Sequence, residues 1–291
     1  MKPATFKYHR PTSLDEALTL LEQFGPQSRL ISGGQSLGPM LNLRLARPEH
    51  VIDLNDLTEF AYVLESEGAI EIGGLTRHYQ LAESAYLLQH CPLLPEVAAT
   101  IGHYAIRSRG TLGGSLANAD PVAQLALVAV ALDARILLVR LGRRREVAAK
   151  DFFQAAMTTA LDPQELLLSV RFPKSKPGEV SAFRMFNRRH GDFALVAVAA
   201  TLAVKNGKVQ RLRVALSGIS AMPIAMDEVT ISFEGIAPDA DWASDVALAI
   251  TRRLQPEEDA RVTSQYRREL AHTLLQSALT STLEKLDGIC V

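Results

Sequence analysis

Two runs of small residues constrain this chain more than any other feature. The first, Ser32, Gly33, Gly34, Gln35 and Ser36, follows the apolar stretch Arg29 to Ile31 and leads into Leu37, Gly38 and Pro39. Paired glycines let the backbone turn sharply and come close to a ligand, so that successive N–H groups converge on phosphate oxygens and serine hydroxyls add donors. A tight strand-to-loop turn is the plainer account of this run taken alone. The second run spans Arg109 to Asp120 and includes Gly110, Thr111, Gly113, Gly114 and Ser115. It offers the same chemistry and runs into an apolar helix expected to begin near Pro121. Two such loops point to one extended anion held by both. Neither is followed by the Gly-Lys-Ser/Thr triplet of a Walker loop and neither has the GxGxxG spacing, which argues against ATP hydrolysis and a Rossmann nicotinamide site.

Around these runs the pattern predicts a βαβ opening: Phe6 to His9 extended, a helix over Ser13 to Phe24, and a strand over Arg29 to Ile31. Ser13 caps the helix, with Glu16 completing a capping box. Strands follow at Val51 to Asp53, Tyr62 to Glu65 and Ala69 to Ile72, with helices at Tyr79 to Ser84, Pro92 to Ala99 and Val122 to Leu132. A strand pair, Arg135 to Arg140 and Arg144 to Val147, precedes a strand at Leu166 to Phe172. Pro173 to Gly178, rich in breakers and charge, is the expected linker. Beyond it lie three antiparallel strands, Ser181 to Asn187, Leu195 to Lys205 and Val209 to Ser217, the last two joined by a type I′ turn at Asn206 and Gly207. Helices at Asp241 to Leu254 and Ser264 to Lys285 close the chain, the latter with Tyr266, Leu270, Thr273, Leu274 and Ser277 at helical spacing. Short sheets with added helices make the fold class α+β.

Composition narrows the function. A length of 291 residues with 47% hydrophobic content supports a large core and two domains. Thirty-one basic against 32 acidic side chains leave a formal charge of -1, which favours neither nucleic acid nor an anionic membrane. Met1 to Arg10 lacks the apolar core of a signal peptide, and the longest apolar stretch, Leu125 to Leu132, has the length of a buried helix, so the expectation is a cytoplasmic protein without a membrane span. Cys91 and Cys290 are too few and too far apart for an iron-sulfur cluster or structural zinc, and no metal site is expected.

Four blocks then stand in order: Ser32 to Leu37 with Gly38 and Pro39; Gly73, Gly74, Leu75, Thr76, Arg77 and His78; Arg109 to Ser115; and Arg188, Arg189, His190, Gly191, Asp192 and Phe193. Spread over most of the chain, they resemble the FAD-binding (medium) subunits of molybdenum hydroxylases, the xanthine dehydrogenase and carbon monoxide dehydrogenase family. The resemblance implies a vanillyl-alcohol-oxidase (PCMH) type FAD-binding domain over residues 1–177, in subdomains of about 1–55 and 56–177. It also implies a smaller carbon monoxide dehydrogenase flavoprotein C-terminal-like domain over 178–291, with a three-stranded antiparallel sheet and helices.

By position, the resemblance places non-covalent FAD with its pyrophosphate at Ser32, Gly33, Gly34, Gln35, Ser36 and Leu37 and at Gly110, Thr111, Gly113, Gly114 and Ser115. Thr76, His78, Ile101 and Gly102 lie near the flavin and its phosphates. Asp192 and Phe193 face the isoalloxazine, where the family often has tyrosine; phenylalanine keeps an aromatic shield without the hydroxyl. As a residue of its own, Phe193 equally suits the core of the strand that starts at Leu195. Asp120 either orders the second loop or reaches a ribose hydroxyl, and capping before Pro121 accounts for it equally well. Gln124 stands where relatives often carry a carboxylate for the ribose. Arg107, Arg109, Arg188 and Arg189 are candidates to neutralise phosphate or face an acidic partner, although charged loops are usually solvated.

The resemblance further implies an electron-transfer subunit with no catalytic acid, base or nucleophile of its own. Molybdopterin and 2Fe-2S clusters would reside in a molybdenum-binding large subunit and a small iron-sulfur subunit, the whole a dimer of heterotrimers. From the residues alone, a stand-alone flavin oxidoreductase and a non-catalytic nucleotide-binding protein remain open.

Overall fold

The computed structural model describes residues 2–260 and 262–288, apart from the side chain of Ala240. Met1 and Cys290, both used in the sequence reading, lie outside the described residues.

The chain opens with β1 (Lys7–His9), α1 (Leu14–Phe24), β2 (Ser28–Ile31), α2 (Leu37–Asn42) and β3 (His50–Asp53). Ser13 caps α1 by accepting from the Glu16 N–H, while the Glu16 carboxylate takes the Thr12 N–H rather than that of Ser13. Ala17, Leu18 and Leu21 bury the helix against β3 and the neighbouring sheet. The expected βαβ unit forms, but its two parallel strands are not adjacent. β3 lies between β1 and β2 and pairs parallel with both, because its Val51 and Ile52 are fully apolar and take the central, doubly covered position.

The second sheet is antiparallel, in the order β4-β5-β10-β6-β7. It comprises β4 (Val63–Ser66), β5 (Ala69–Gly73), β6 (Arg135–Arg140), β7 (Arg143–Ala148) and, after the two-stranded β8 (Phe153–Ala155) and β9 (Thr158–Thr159), β10 (Leu166–Pro173). Between β5 and β6 the chain forms short helices: α3 (His78–Ala82), α4 (Ala85–His90), α5 (Leu93–Ala98), α6 (Tyr104–Arg107), α7 (Leu112–Asn118) and α8 (Gln124–Ala131); α9 (Ala149–Phe152) follows β7. Every residue of α8 is buried, as its apolar run Leu125 to Ala131 requires. It begins at Gln124, three residues after Pro121, because Ala123 is still extended.

The carboxyl-terminal sheet contains β11 (Glu179–Phe186), β12 (Val196–Lys205) and β13 (Lys208–Ser217), with Asn206 and Gly207 both at positive φ in the connecting turn. Its two faces divide along β12. Ala197 and Ala199 pack with α5 and α8, while Val196, Val198, Ala200 and Leu202 pack under two long helices. Ile224–Ala225 adds a fourth strand, β14, so the expected three-stranded sheet has four; two residues are too few to show a period. After α10 (Asp227–Thr230) come α11 (Ala240–Arg253) and α12 (Ser264–Asp287).

The buried stripe of α12 is Arg267, Ala271, Leu275, Ala278, Leu279, Ser281 and Thr282, one position on from the expected one, which leaves Tyr266, Thr273 and Ser277 exposed. Small residues win because the helix lies close on β11 and β12. Arg267 is held inside by the carbonyls of Leu195 and Gly218 and by Asp259. Among the described residues no helix is long and apolar enough to cross a membrane.

Candidate cofactor site

β2 carries the first glycine run to the edge of its sheet, and the chain turns there. Gly34 has a φ of 69°, a conformation that glycine enters without strain, and its carbonyl accepts from Gly38 as α2 begins. The Gln35 side chain folds back to donate to the Gly33 carbonyl at 2.8 Å. Among the described residues, no protein group accepts the amide hydrogens of Gly33, Gly34, Gln35, Ser36 and Leu37. Five successive donors are therefore free for a ligand. Gly33 has a separate reason to be glycine: a Cβ there would lie 2.3 Å from the Arg109 carbonyl oxygen.

The second run differs, and its reading as an open loop of amides is corrected. Leu112 to Asn118 is helix α7, with Thr111 as its cap. The first-turn amides are already used: Leu112 donates to Thr76 O (2.9 Å), Gly113 to Gly74 O (2.8 Å), Gly114 to Thr111 Oγ1 (3.1 Å) and Ser115 to Thr111 O (3.0 Å). What this segment adds is hydroxyl chemistry. Thr111 Oγ1 lies 2.9 Å from Ser32 Oγ, which joins the two runs. A Cβ on Gly114 would lie 2.7 Å from the first of these oxygens and 2.9 Å from the second, so glycine leaves both uncovered.

His78 supports the second run from behind. Its N–H donates to Gly110 O, and its ring Nε2 lies 3.0 Å from Thr111 O, so Nε2 carries the hydrogen and Nδ1 is an acceptor. Nδ1 is buried without a partner. Burial first, and then the nearby Arg77 and Arg107, push the imidazole down to about 4, so it is neutral at pH 7. The Thr76 hydroxyl donates to Tyr62 O at 3.0 Å.

Two residues that the sequence reading did not single out complete the arrangement. Asn55 donates from Nδ2 to Ser32 O at 2.8 Å, and Arg77 bonds both Asn55 Oδ1, at 2.6 Å, and the Arg109 carbonyl. Arg77 stood inside a quoted block; Asn55 carried no signal beyond a polar residue after a strand.

Ile101 and Gly102 enter through α6. The Arg107 guanidinium donates to both of their carbonyls, at 3.1 and 2.9 Å, and Gly110 N donates to Ile106 O, which ties this turn to the second run. The carboxyl-terminal domain arrives on the same side. Gly191 packs so closely on His103 that a Cβ would come within 2.7 Å of its ring. Beside it, Phe193 is 59% exposed, so it does not belong to the core of β12, and Asp192 is exposed as well. Asp120 and Gln124 have other contacts. Asp120 accepts from Val122 N at 3.0 Å, which closes a turn ahead of α8 rather than capping it, since the cap position is Ala123; Gln124 is buried with its amide 3.7 Å from Met185 Sδ.

The donor set is thus five amides and two hydroxyls beside a neutral histidine, with no carboxylate among them. It fits a pyrophosphate rather than a cation. Cys91 is buried and pushed up to about 12 by that burial, an inert thiol.

A family description, FAD binding domain in molybdopterin dehydrogenase, matches residues 4–175. The chain belongs to this family. Residues 181–282 match a second description, the CO dehydrogenase flavoprotein C-terminal domain. The 6-hydroxypseudooxynicotine dehydrogenase complex subunit alpha of Paenarthrobacter nicotinovorans is 36% identical over 98% of this chain and 97% of its own length. The carbon monoxide dehydrogenase medium chain of Afipia carboxidovorans is 34% identical over 96% and 97%. In three dimensions, a carbon monoxide dehydrogenase chain from Hydrogenophaga pseudoflava superposes with a TM-score of 0.94 at 31% identity, covering 98% of this chain and 99% of that one. As a member of the family, the chain is an FAD-carrying oxidoreductase subunit with the PCMH-type and C-terminal domains of that fold.

Proposed function

We propose that this chain binds FAD without a covalent link, its pyrophosphate on the free amides of Gly33 to Leu37 and the hydroxyls of Ser32 and Thr111. The observation that carries the assignment is the set of five consecutive unpaired donors. Gly110, Gly113, Gly114 and Ser115 shape the wall beside it, and Thr76 and His78 hold that wall from behind. Ile101, Gly102, Asp192 and Phe193 line the flavin end, Phe193 as an exposed ring that can cover one face. Asp120 and Gln124 serve the site through the turn and helix that follow α7. The domains divide at residues 177 and 178, with subdomains meeting near residue 55, which accords with the separate sheets and with the two matched spans.

FAD exchanges electrons in pairs with one partner and singly with another, and the protein supplies its placement and surroundings. On this reading the site holds the cofactor and activates no substrate of its own. The electrons would come from a small subunit with 2Fe-2S clusters, fed by a large subunit holding molybdopterin, in a cytoplasmic dimer of heterotrimers. Relatives named for chemically unrelated molecules, a nicotine derivative and carbon monoxide, align with this chain over nearly its whole length. That breadth supports a shared electron-transfer part rather than a substrate-binding one.

The test is an absorption spectrum of the complex containing this chain, followed by acid denaturation and chromatography of the released cofactor. The proposal expects a flavin spectrum and free FAD in the supernatant. Flavin that stays with the precipitated protein would contradict the non-covalent assignment.

A further inference from the structure

The two glycine runs lie on separate segments that touch where Gly33 packs on the Arg109 backbone and Ser32 meets Thr111, and a pyrophosphate site needs them at one fixed separation. A chain of polar side chains spans them. Asp53 Oδ1 accepts from the Asn55 backbone N–H at 2.9 Å and from Asn55 Nδ2 at 2.5 Å, which fixes the amide orientation. Asn55 Nδ2 also donates to the Ser32 carbonyl, at the start of the first run. Asn55 Oδ1 accepts from the Arg77 guanidinium, whose other arm donates to the Arg109 carbonyl, at the start of the second. Arg77 is half-buried and, among the described residues, makes no ion pair, so its planar fork is committed to this span.

We propose that Asn55 and Arg77 form a clamp that sets the register of the two runs, making both positioning residues for FAD. The inference rests on the assignment of the pyrophosphate to those runs. The clamp grips backbone carbonyls at the two entry points rather than the ligand, so it works through Ser32 to Leu37 and Thr111. Because one amide serves both sides, its two halves are not interchangeable: the Oδ1 acceptor holds Arg77 and the Nδ2 donor holds Ser32. An aspartate at position 55 would keep an acceptor for Arg77, lose the donor to Ser32 and set its second oxygen against Asp53 Oδ1.

The experiment measures the dissociation constants of FAD and riboflavin for the full chain and for Asn55→Asp, Asn55→Ala, Arg77→Lys and the double variant Asn55→Ala/Arg77→Lys. Thermal denaturation without ligand serves as the control on folding. The clamp predicts about tenfold weaker FAD binding for each single variant, with riboflavin, which has no phosphate, changed less than twofold. It also predicts a double variant no weaker than about the weaker single one, since both break the same connection. Asn55→Asp is read together with Asn55→Ala, which removes both ties without setting a carboxylate against Asp53, and both should lose FAD affinity. FAD affinity within twofold of wild type in Asn55→Asp, or equal losses for FAD and riboflavin, would overturn the clamp. A wild-type chain that binds riboflavin and FAD equally would instead overturn the pyrophosphate assignment on which it rests.

Discussion

The two glycine runs look alike in sequence and do opposite things with their backbone. In the first, Gly33 to Leu37 leave five amides without protein acceptors. In the second, the amides of Leu112 to Ser115 are all taken, two by the carbonyls of Thr76 and Gly74 and two by Thr111. Glycine is needed in both, for different reasons. Gly34 serves a left-handed turn, whereas Gly113 lets α7 lie against the backbone of Gly74, where a Cβ would come within 2.8 Å of the carbonyl oxygen. The lesson is that a glycine-rich motif marks close backbone approach, and the hydrogen-bond inventory tells whether the approaching partner is ligand or protein.

The largest test of this contrast uses His78, which buttresses the second run. Its pKa near 4 in the folded chain lies below the ordinary value near 6.5, so the unfolded chain binds the proton more readily. Stability from this group is therefore intact above about pH 6.5 and is lost progressively as pH falls toward 4, by about 3 kcal/mol in all. Urea denaturation at pH 7 and pH 4.5 should show His78→Gln losing much less over this window than wild type. Equal losses would mean that His78 is not the group that titrates.

Next in size is Gly33→Ala, in which the added methyl meets the Arg109 backbone rather than a movable side chain. A cost of about 2 kcal/mol is expected for such overpacking, read as a lower urea midpoint, even without FAD. Gly34→Ala instead tests the first run's own turn. Its nearest neighbour would be the movable Ile31 side chain at 3.3 Å, so the cost comes mainly from the positive φ, about 1 to 2 kcal/mol. A Gly33→Ala variant as stable as wild type would erase the distinction between the two glycines.

The smallest expected effect is that of Thr111→Val. It removes the cap on Gly114 and the contact to Ser32, for about 1 kcal/mol of stability, and Thr111→Ser should restore both. Because the hydroxyl also faces the proposed ligand, FAD affinity should fall in the valine variant and return with serine. Affinity unaffected by the valine would limit Thr111 to capping.

Much of the architecture was legible because it follows local rules. The Ser13 cap, the Asn206-Gly207 hairpin and the apolar run of α8 each declare themselves within a few residues. The family resemblance supplied the site blocks. Long-range pairing was hidden, since the insertion of β3 between β1 and β2 and the register of α12 depend on what packs above them. The helix at Leu112 to Asn118 was missed because its glycines suggest a loop, while the carbonyls that satisfy its amides belong to residues far away in sequence. Asn55 was invisible for the same reason, its partners being Ser32 and Arg77.

The most direct test is hydrogen exchange of the backbone amides with and without FAD. Gly33 to Leu37 should exchange quickly in the free chain and slow at least tenfold on binding, while Leu112 to Ser115 should be protected beforehand and change little. Protection gained at residues 112 to 115 with none at 33 to 37 would contradict the account.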